Sequence, residues 1–112
     1  MYCSLICLTE SWLKEGIPDP SLTGFSTIRS DRNEASSKER GGGVCMFIND
    51  KWCNNISVKE RLCDVNMELL VVSLRPFYLP REYNNVFVIL AYITTDANYT
   101  DAAEKIAEII DN

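Results

Sequence analysis

The side chains that could do chemistry in this 112-residue chain are chiefly carboxylates, tyrosines, lysines and thiols, because the sequence contains no histidine. Without an imidazole, Ser-His and Cys-His nucleophile pairs and histidine-ligated zinc sites are excluded. The two positions of most interest are Glu10, two residues after the apolar run of residues 3–8, and Tyr92, near the end of the apolar run of residues 86–93. Any catalysis must therefore use oxygen, amine or sulfur groups.

Glu10 and Tyr92 each have an ordinary structural interpretation beside a chemical one. In TESWLKEG, Thr9 can cap a short helix, and a glutamate in its first turn gains about 0.3–1 kcal/mol from the helix dipole. The same carboxylate could bind a metal ion. The Tyr92 ring could lie in the core with its hydroxyl in water, or the hydroxyl could contact a substrate. The pattern alone leaves both choices open.

A mildly basic stretch covers residues 29–40. Its balance is 4 − 3 = +1, from Arg29, Arg32, Lys38 and Arg40 against Asp31, Glu34 and Glu39. The whole chain carries 11 − 16 = −5, which argues against long-range attraction to nucleic acid or to an anionic membrane. A solvated loop and a loop that contacts phosphates are both possible for this stretch.

The five cysteines form an odd set without a C-x-x-C pair. This usage is typical of reduced thiols, mostly filling a core, in an intracellular protein of the nucleus or cytoplasm. A redox function would depend on these thiols alone. No run approaches the roughly 20 apolar residues of a membrane span, so we expect no membrane partner.

The hydrophobic pattern predicts a single α/β domain over residues 1–112. Residues 3–8 read as a strand buried on both faces, TESWLKEG as a short helix, and residues 30–42 as an exposed loop. Further strands are expected within residues 25–30, 43–49, 56–60, 67–75 and 86–93. A terminal helix follows, capped by Asn98 or Thr100, because Ala103, Ile106, Ala107 and Ile110 recur at helical spacing. We expect a mostly antiparallel sheet backed by two helices.

Five blocks of the sequence carry a family resemblance. In order they are T-E-S-W-L, G-F-S-T-I-R-S-D-R, R-G-G-G-V-C-M-F-I-N, R-P-F-Y-L-P-R-E-Y and V-I-L-A-Y-I-T-T-D-A-N. From about Leu5 to Ile110, the chain resembles the endonuclease domain of non-LTR retrotransposons, within the exonuclease, endonuclease and phosphatase superfamily. The resemblance implies a partial two-sheet α/β sandwich and magnesium-dependent hydrolysis of DNA.

The resemblance also implies roles for particular residues. Glu10 matches the magnesium-binding glutamate, and Tyr92 the tyrosine placed near the scissile phosphate. Arg29 and Arg32 match a basic block that approaches the DNA backbone. Asn98 could help a phosphate or metal site, or simply cap the terminal helix. The usual two prolines after the tyrosine are threonines here, so the backbone of that loop is expected to differ.

Other family blocks do not occur in these 112 residues. They are a first strand carrying an Asn or Asp beside the metal, a Gly-Asp-Phe-Asn block and a terminal Ser-Asp-His block. We therefore expect a truncated endonuclease that binds magnesium weakly or not at all and does not cut DNA alone. The alternative is a protein-interaction or self-associating half-domain whose strands 67–75 and 86–93 would expose apolar faces if the second sheet is absent.

Overall fold

The chain forms two small antiparallel sheets and a helix in a computed structural model that describes residues 3–13, 16–33, 41–94 and 97–111. Sheet A has the strand order β1-β3-β2 and sheet B the order β4-β5-β6. The elements are β1 (Leu5–Thr9), β2 (Phe25–Ser30), β3 (Val44–Asn49), β4 (Asn55–Cys63), β5 (Met67–Arg75), β6 (Val86–Ile93) and α1 (Tyr99–Asp111).

The core lies between the two central strands, β3 and β5. Alternate side chains of a strand point to the same face of its sheet. One buried cluster joins the two sheets through Val44, Met46 and Ile48 of β3 and Leu70, Val72 and Leu74 of β5. On the other face of β5, a second cluster places Met67, Leu69 and Val71 against Ala102 of α1. Sheet B is thus covered by sheet A on one face and, in part, by α1 on the other.

The predicted α/β class with two helices is wrong, because the described residues are mostly β with one helix at the C-terminal end. The short helix predicted in TESWLKEG is absent over residues 10–13; Lys14 and Glu15 lie outside the described residues. Glu10 has φ 55° and Trp12 has φ 60°. A right-handed helix needs φ near −63°, so these two residues cannot belong to one.

Two burial expectations are also corrected. The first strand is an edge strand of sheet A with its last three residues exposed, because it pairs only with β3. The stretch 30–42 is not uniformly exposed, since Ser30 and Gly42 are buried; residues 34–40 lie outside the described part. The strand predicted at 25–30 and the terminal helix are confirmed. None of the described helical residues forms a segment long and apolar enough to cross a membrane.

Candidate functional site

Glu10 and Tyr92 meet where an end of sheet A lies beside an end of sheet B. Glu10 directly follows β1, and Tyr92 is the next-to-last residue of β6. The Tyr92 hydroxyl lies close enough to the Glu10 carboxylate to shift the pKa of both groups. Oε2 of Glu10 also accepts from the backbone N of Gly42 at 3.2 Å and from Nε1 of Trp12 at 3.1 Å. An exposed carboxylate is therefore held by two N–H donors, with the Tyr92 hydroxyl nearby.

These donors set the ionisation of both residues. The Tyr92 hydrogen bond, followed by the Gly42 N–H, lowers the pKa of Glu10, because both donors favour the charged carboxylate. The same hydrogen bond raises the pKa of Tyr92, since its hydroxyl must keep its proton to donate. Glu10 is thus an anion and Tyr92 a neutral donor at neutral pH.

The segment after β1 is fastened to the glycine triplet before β3. Ser11 N donates to the Gly43 carbonyl at 3.1 Å, and Trp12 N donates to the Gly42 carbonyl at 2.8 Å. All three glycines have φ between 72° and 85°, and Glu10 and Trp12 share this left-handed region. Such conformations cost about 1–3 kcal/mol in a residue with a side chain and cluster at functional sites. The strained pair therefore marks this corner as a candidate site.

The triplet must be glycine because side chains approach its backbone closely. A Cβ on Gly41 would lie 3.0 Å from Oε2 of Glu10 and 3.3 Å from the Trp12 ring. A Cβ on Gly43 would lie 2.5 Å from the Ser11 hydroxyl, and one on Gly42 would collide with the Arg32 and Glu68 side chains. The triplet is thus a point of close backbone approach, as glycines at a strand entrance often are.

A buried ion pair lies directly beneath this corner. Nε and an Nη of Arg32 donate to the two carboxylate oxygens of Glu68 at 3.1 and 2.8 Å. Oε1 of Glu68 also accepts from Gly43 N at 2.7 Å. Glu68 lies opposite Tyr92 in the β5–β6 ladder, so the ion pair adjoins the Tyr92–Glu10 contact. The hydrogen bonds to Glu68 raise the pKa of Arg32.

Glu68 was not among the candidate residues from the sequence. It lies in the run MELLVVSL, where the apolar pattern dominates. The available signal was the charge itself, because an acid inside a run that is buried on both faces needs a paired cation. Arg32 in the basic block before the glycines was the matching cation.

The other predicted residues make different contacts. Arg29 forms ion pairs with Asp19 at 3.0 Å and Asp31 at 2.9 Å. Asn98 caps α1, because its Oδ1 accepts from Asp101 N at 3.1 Å, and its backbone N donates to Asn66 at 3.0 Å. These hydrogen bonds go to residues other than Glu10 and its neighbours Trp12, Gly42 and Tyr92. Contacts of Arg29, Arg32 and Asn98 with DNA stay predictions.

The residues around Glu10 do not form a metal site that is enclosed by protein ligands. Across residues 3–13, 16–33, 41–94 and 97–111, no three His, Cys, Asp or Glu side chains group as metal ligands. Glu10 is one carboxylate, and its Oε2 already accepts from Gly42 and Trp12. Magnesium needs six oxygens and commonly takes one or two from protein carboxylates. Glu10 alone fits only a weakly held, largely hydrated ion.

Comparison with known proteins gives no family assignment. No family model matches the sequence, and no curated protein or solved structure matches it significantly.

Proposed function

We propose that the chain carries part of the active site of a DNA endonuclease of the non-LTR retrotransposon type. Glu10 would hold the magnesium ion, and Tyr92 would lie beside the phosphate that is cleaved. The proximity of Tyr92 to Glu10 is the observation that supports this assignment, because it brings together the two residues singled out by the resemblance. They come from β6 of one sheet and the end of β1 in the other.

The ionisation of the pair fits these roles. Phosphodiester hydrolysis needs the negative charge of the phosphate to be neutralised and donors for the charge that develops. Because its pKa is lowered, Glu10 has no proton to give near neutral pH and is a poor general base, so it serves as an anionic ligand. The protonated Tyr92 hydroxyl has a single O–H, which would turn from Glu10 to a phosphate oxygen when DNA is bound. Magnesium, when bound, would supply positive charge at the phosphate.

We expect the 112 residues to lack cleavage activity by themselves, since Glu10 is a single carboxylate and would bind magnesium only weakly. A plasmid-nicking assay with magnesium tests this directly. The wild-type chain should nick no faster than the Glu10→Ala variant. Wild-type nicking that disappears in Glu10→Ala and persists in Glu82→Ala, a matched exposed glutamate, would show that this chain is active and refute its inactivity.

Complementation tests the assignment of the site itself. A second polypeptide is added in trans that carries all three missing family blocks: the first strand with its Asn or Asp, the Gly-Asp-Phe-Asn block and the Ser-Asp-His block. Restored nicking should depend on both Glu10 and Tyr92, because the two residues would then face a completed site. Restored nicking that survives Glu10→Ala and Tyr92→Phe would refute the proposed roles.

Self-association is a second candidate function, favoured by a groove beside α1. The groove has a volume of about 600 Å³ and lies over part of sheet B; its apolar lining is Val71, Phe87, Ile89, Ile109 and Ile110. Phe87 and Ile110 are large exposed apolar side chains in this lining. If a second copy covers them, Phe87→Ser should abolish concentration-dependent sedimentation. Monomeric wild-type protein at all concentrations would exclude this function.

A further inference from the structure

Trp12 is an exposed aromatic residue that is fixed in place. The residue is 57% exposed, yet its backbone adopts φ 60°. Its backbone N donates to the Gly42 carbonyl at 2.8 Å, and its indole Nε1 donates to Oε2 of Glu10 at 3.1 Å. A Cβ at Gly41 would lie 3.3 Å from the ring edge, so the missing side chain there leaves room for the ring. The fold thus holds a large apolar ring in water beside the candidate site.

The chemistry of this ring narrows its possible ligands. Indole has one polar atom, the Nε1 donor, and that donor is already bonded to Glu10. What the ring offers a ligand is therefore its apolar π surface, which suits another flat aromatic group. Nucleobases are such groups, and their stacking on aromatic side chains contributes about 1–3 kcal/mol per base with little sequence preference.

We propose that Trp12 is a stacking platform for an unpaired base of the DNA strand whose phosphate faces Glu10 and Tyr92. This inference rests on the proposed function, which supplies the DNA strand. The net charge of −5 opposes long-range attraction of a polyanion, so short-range stacking is needed to hold the strand near the site. Trp12 therefore positions DNA, whereas Glu10 and Tyr92 face its phosphate.

Two oligonucleotides separate stacking from contacts with the phosphate backbone. One is a single-stranded oligothymidylate, and the other is an abasic strand of equal length; both are titrated in magnesium buffer and followed by anisotropy. The wild-type chain should bind the thymidylate about tenfold more tightly, as one stacked base allows. Trp12→Ala should remove this preference and leave the abasic affinity unchanged. Trp12→Phe should retain most of the preference.

Tyr78→Ala is the matched control. Tyr78 is 91% exposed in the loop after β5, and it is not among the residues that contact Glu10. It should leave the preference intact. The inference is overturned if the wild-type chain binds neither strand, binds both equally, or keeps its preference in Trp12→Ala. It is also overturned if Trp12→Ala abolishes self-association without changing base preference, which would assign the ring to a protein contact.

A measurement on the unmodified chain guards against a variant that fails to fold. Acrylamide quenches exposed tryptophans more than the half-buried Trp52, so most of the quenching should come from Trp12. Bound thymidylate should protect Trp12 from acrylamide quenching, whereas the abasic strand should not. Equal protection by the two strands would refute stacking. A failure of the proposed function would show in a different experiment: in the complementation assay, restored nicking would not depend on Glu10. Glu10-dependent nicking without base preference would refute only the role of Trp12.

Discussion

Arg32, just after β2, and Glu68, near the start of β5, form a two-pronged ion pair that fastens sheet A to sheet B. The Glu68 side chain is 1% exposed and that of Arg32 is 8% exposed. Glu68 also accepts from Gly43, which lies in the triplet that contacts the segment after β1. The pair thereby joins three segments beneath the Glu10–Tyr92 corner.

Removal of one partner should be strongly destabilising. Glu68→Ala leaves the Arg32 guanidinium largely buried without its anion, which should lower the free energy of unfolding by about 3–5 kcal/mol. Urea denaturation followed by circular dichroism measures the loss. Glu108→Ala is the control, because the Glu108–Lys105 pair is exposed at 4.0 Å and should contribute less than about 1 kcal/mol. Equal losses in the two variants would contradict a structural role for Glu68.

Gly42 should tolerate a methyl group far less well than Gly24. Both have positive φ, so alanine pays a backbone cost of about 1–2 kcal/mol at either position. At Gly24 the new Cβ meets nothing within 4 Å, whereas at Gly42 it would collide with the buried ion pair. We expect Gly42→Ala to lose about 3 kcal/mol in total, and Gly24→Ala about half as much. Denaturation midpoints that shift equally would contradict this packing.

Tyr92→Phe should raise the pKa of Glu10 toward the ordinary glutamate value of about 4.3. The phenol is the largest cause of the lowered pKa, so its loss removes the largest single contribution to the shift. In the wild-type chain, the lowered pKa of Glu10 also stabilises the fold, and this stabilisation is fully present above the pKa that Glu10 has in the unfolded state. It is lost as the pH falls through the lower folded-state pKa. A carboxyl NMR titration reports the change, with Tyr78→Phe as the unaffected control; an unmoved Glu10 pKa in Tyr92→Phe would exclude the hydrogen bond.

Asn98 can be tested as a helix cap and as a DNA contact in the same variants. Asn98→Ala should cost about 1 kcal/mol because Asp101 N loses its acceptor, and Asn98→Asp should retain stability as a good cap. If Asn98 also contacts phosphate, the added negative charge of Asn98→Asp should weaken DNA binding. Thermal melts and anisotropy separate the two properties. An Asn98→Ala variant as stable as wild type would contradict the capping role.

Periodic apolar residues predicted much of the framework. Residues 67–75 and 86–93 read as strands and the terminal stretch as a helix, since long runs with a clear period are decided by burial. The segment after β1 could not be predicted in this way. Thr9 and Glu10 resemble a helix start, but hydrogen bonds to the glycine triplet, distant in sequence, hold that segment in a left-handed conformation instead. Tertiary contacts overrode the local preference.

The candidate site was also predictable only in part. The resemblance selected Glu10 and Tyr92, and the fold brings them into contact. It also selected Arg32 but not its partner Glu68, because cross-sheet pairing cannot be read from spacing along one strand. Trp12 was part of a quoted block, but its exposure and its bond to Glu10 depend on the backbone at Gly41 and Gly42.

Magnesium titration of the 112-residue chain, followed by carboxyl NMR, tests the central claim most directly. We expect a weak, saturable shift centred on Glu10, absent in Glu10→Gln and not reproduced at the exposed control residue Glu82. Tight stoichiometric binding would contradict the view that one carboxylate gives only a weak site. Identical, non-saturating shifts at Glu10 and Glu82 would contradict any role for Glu10 as a magnesium ligand.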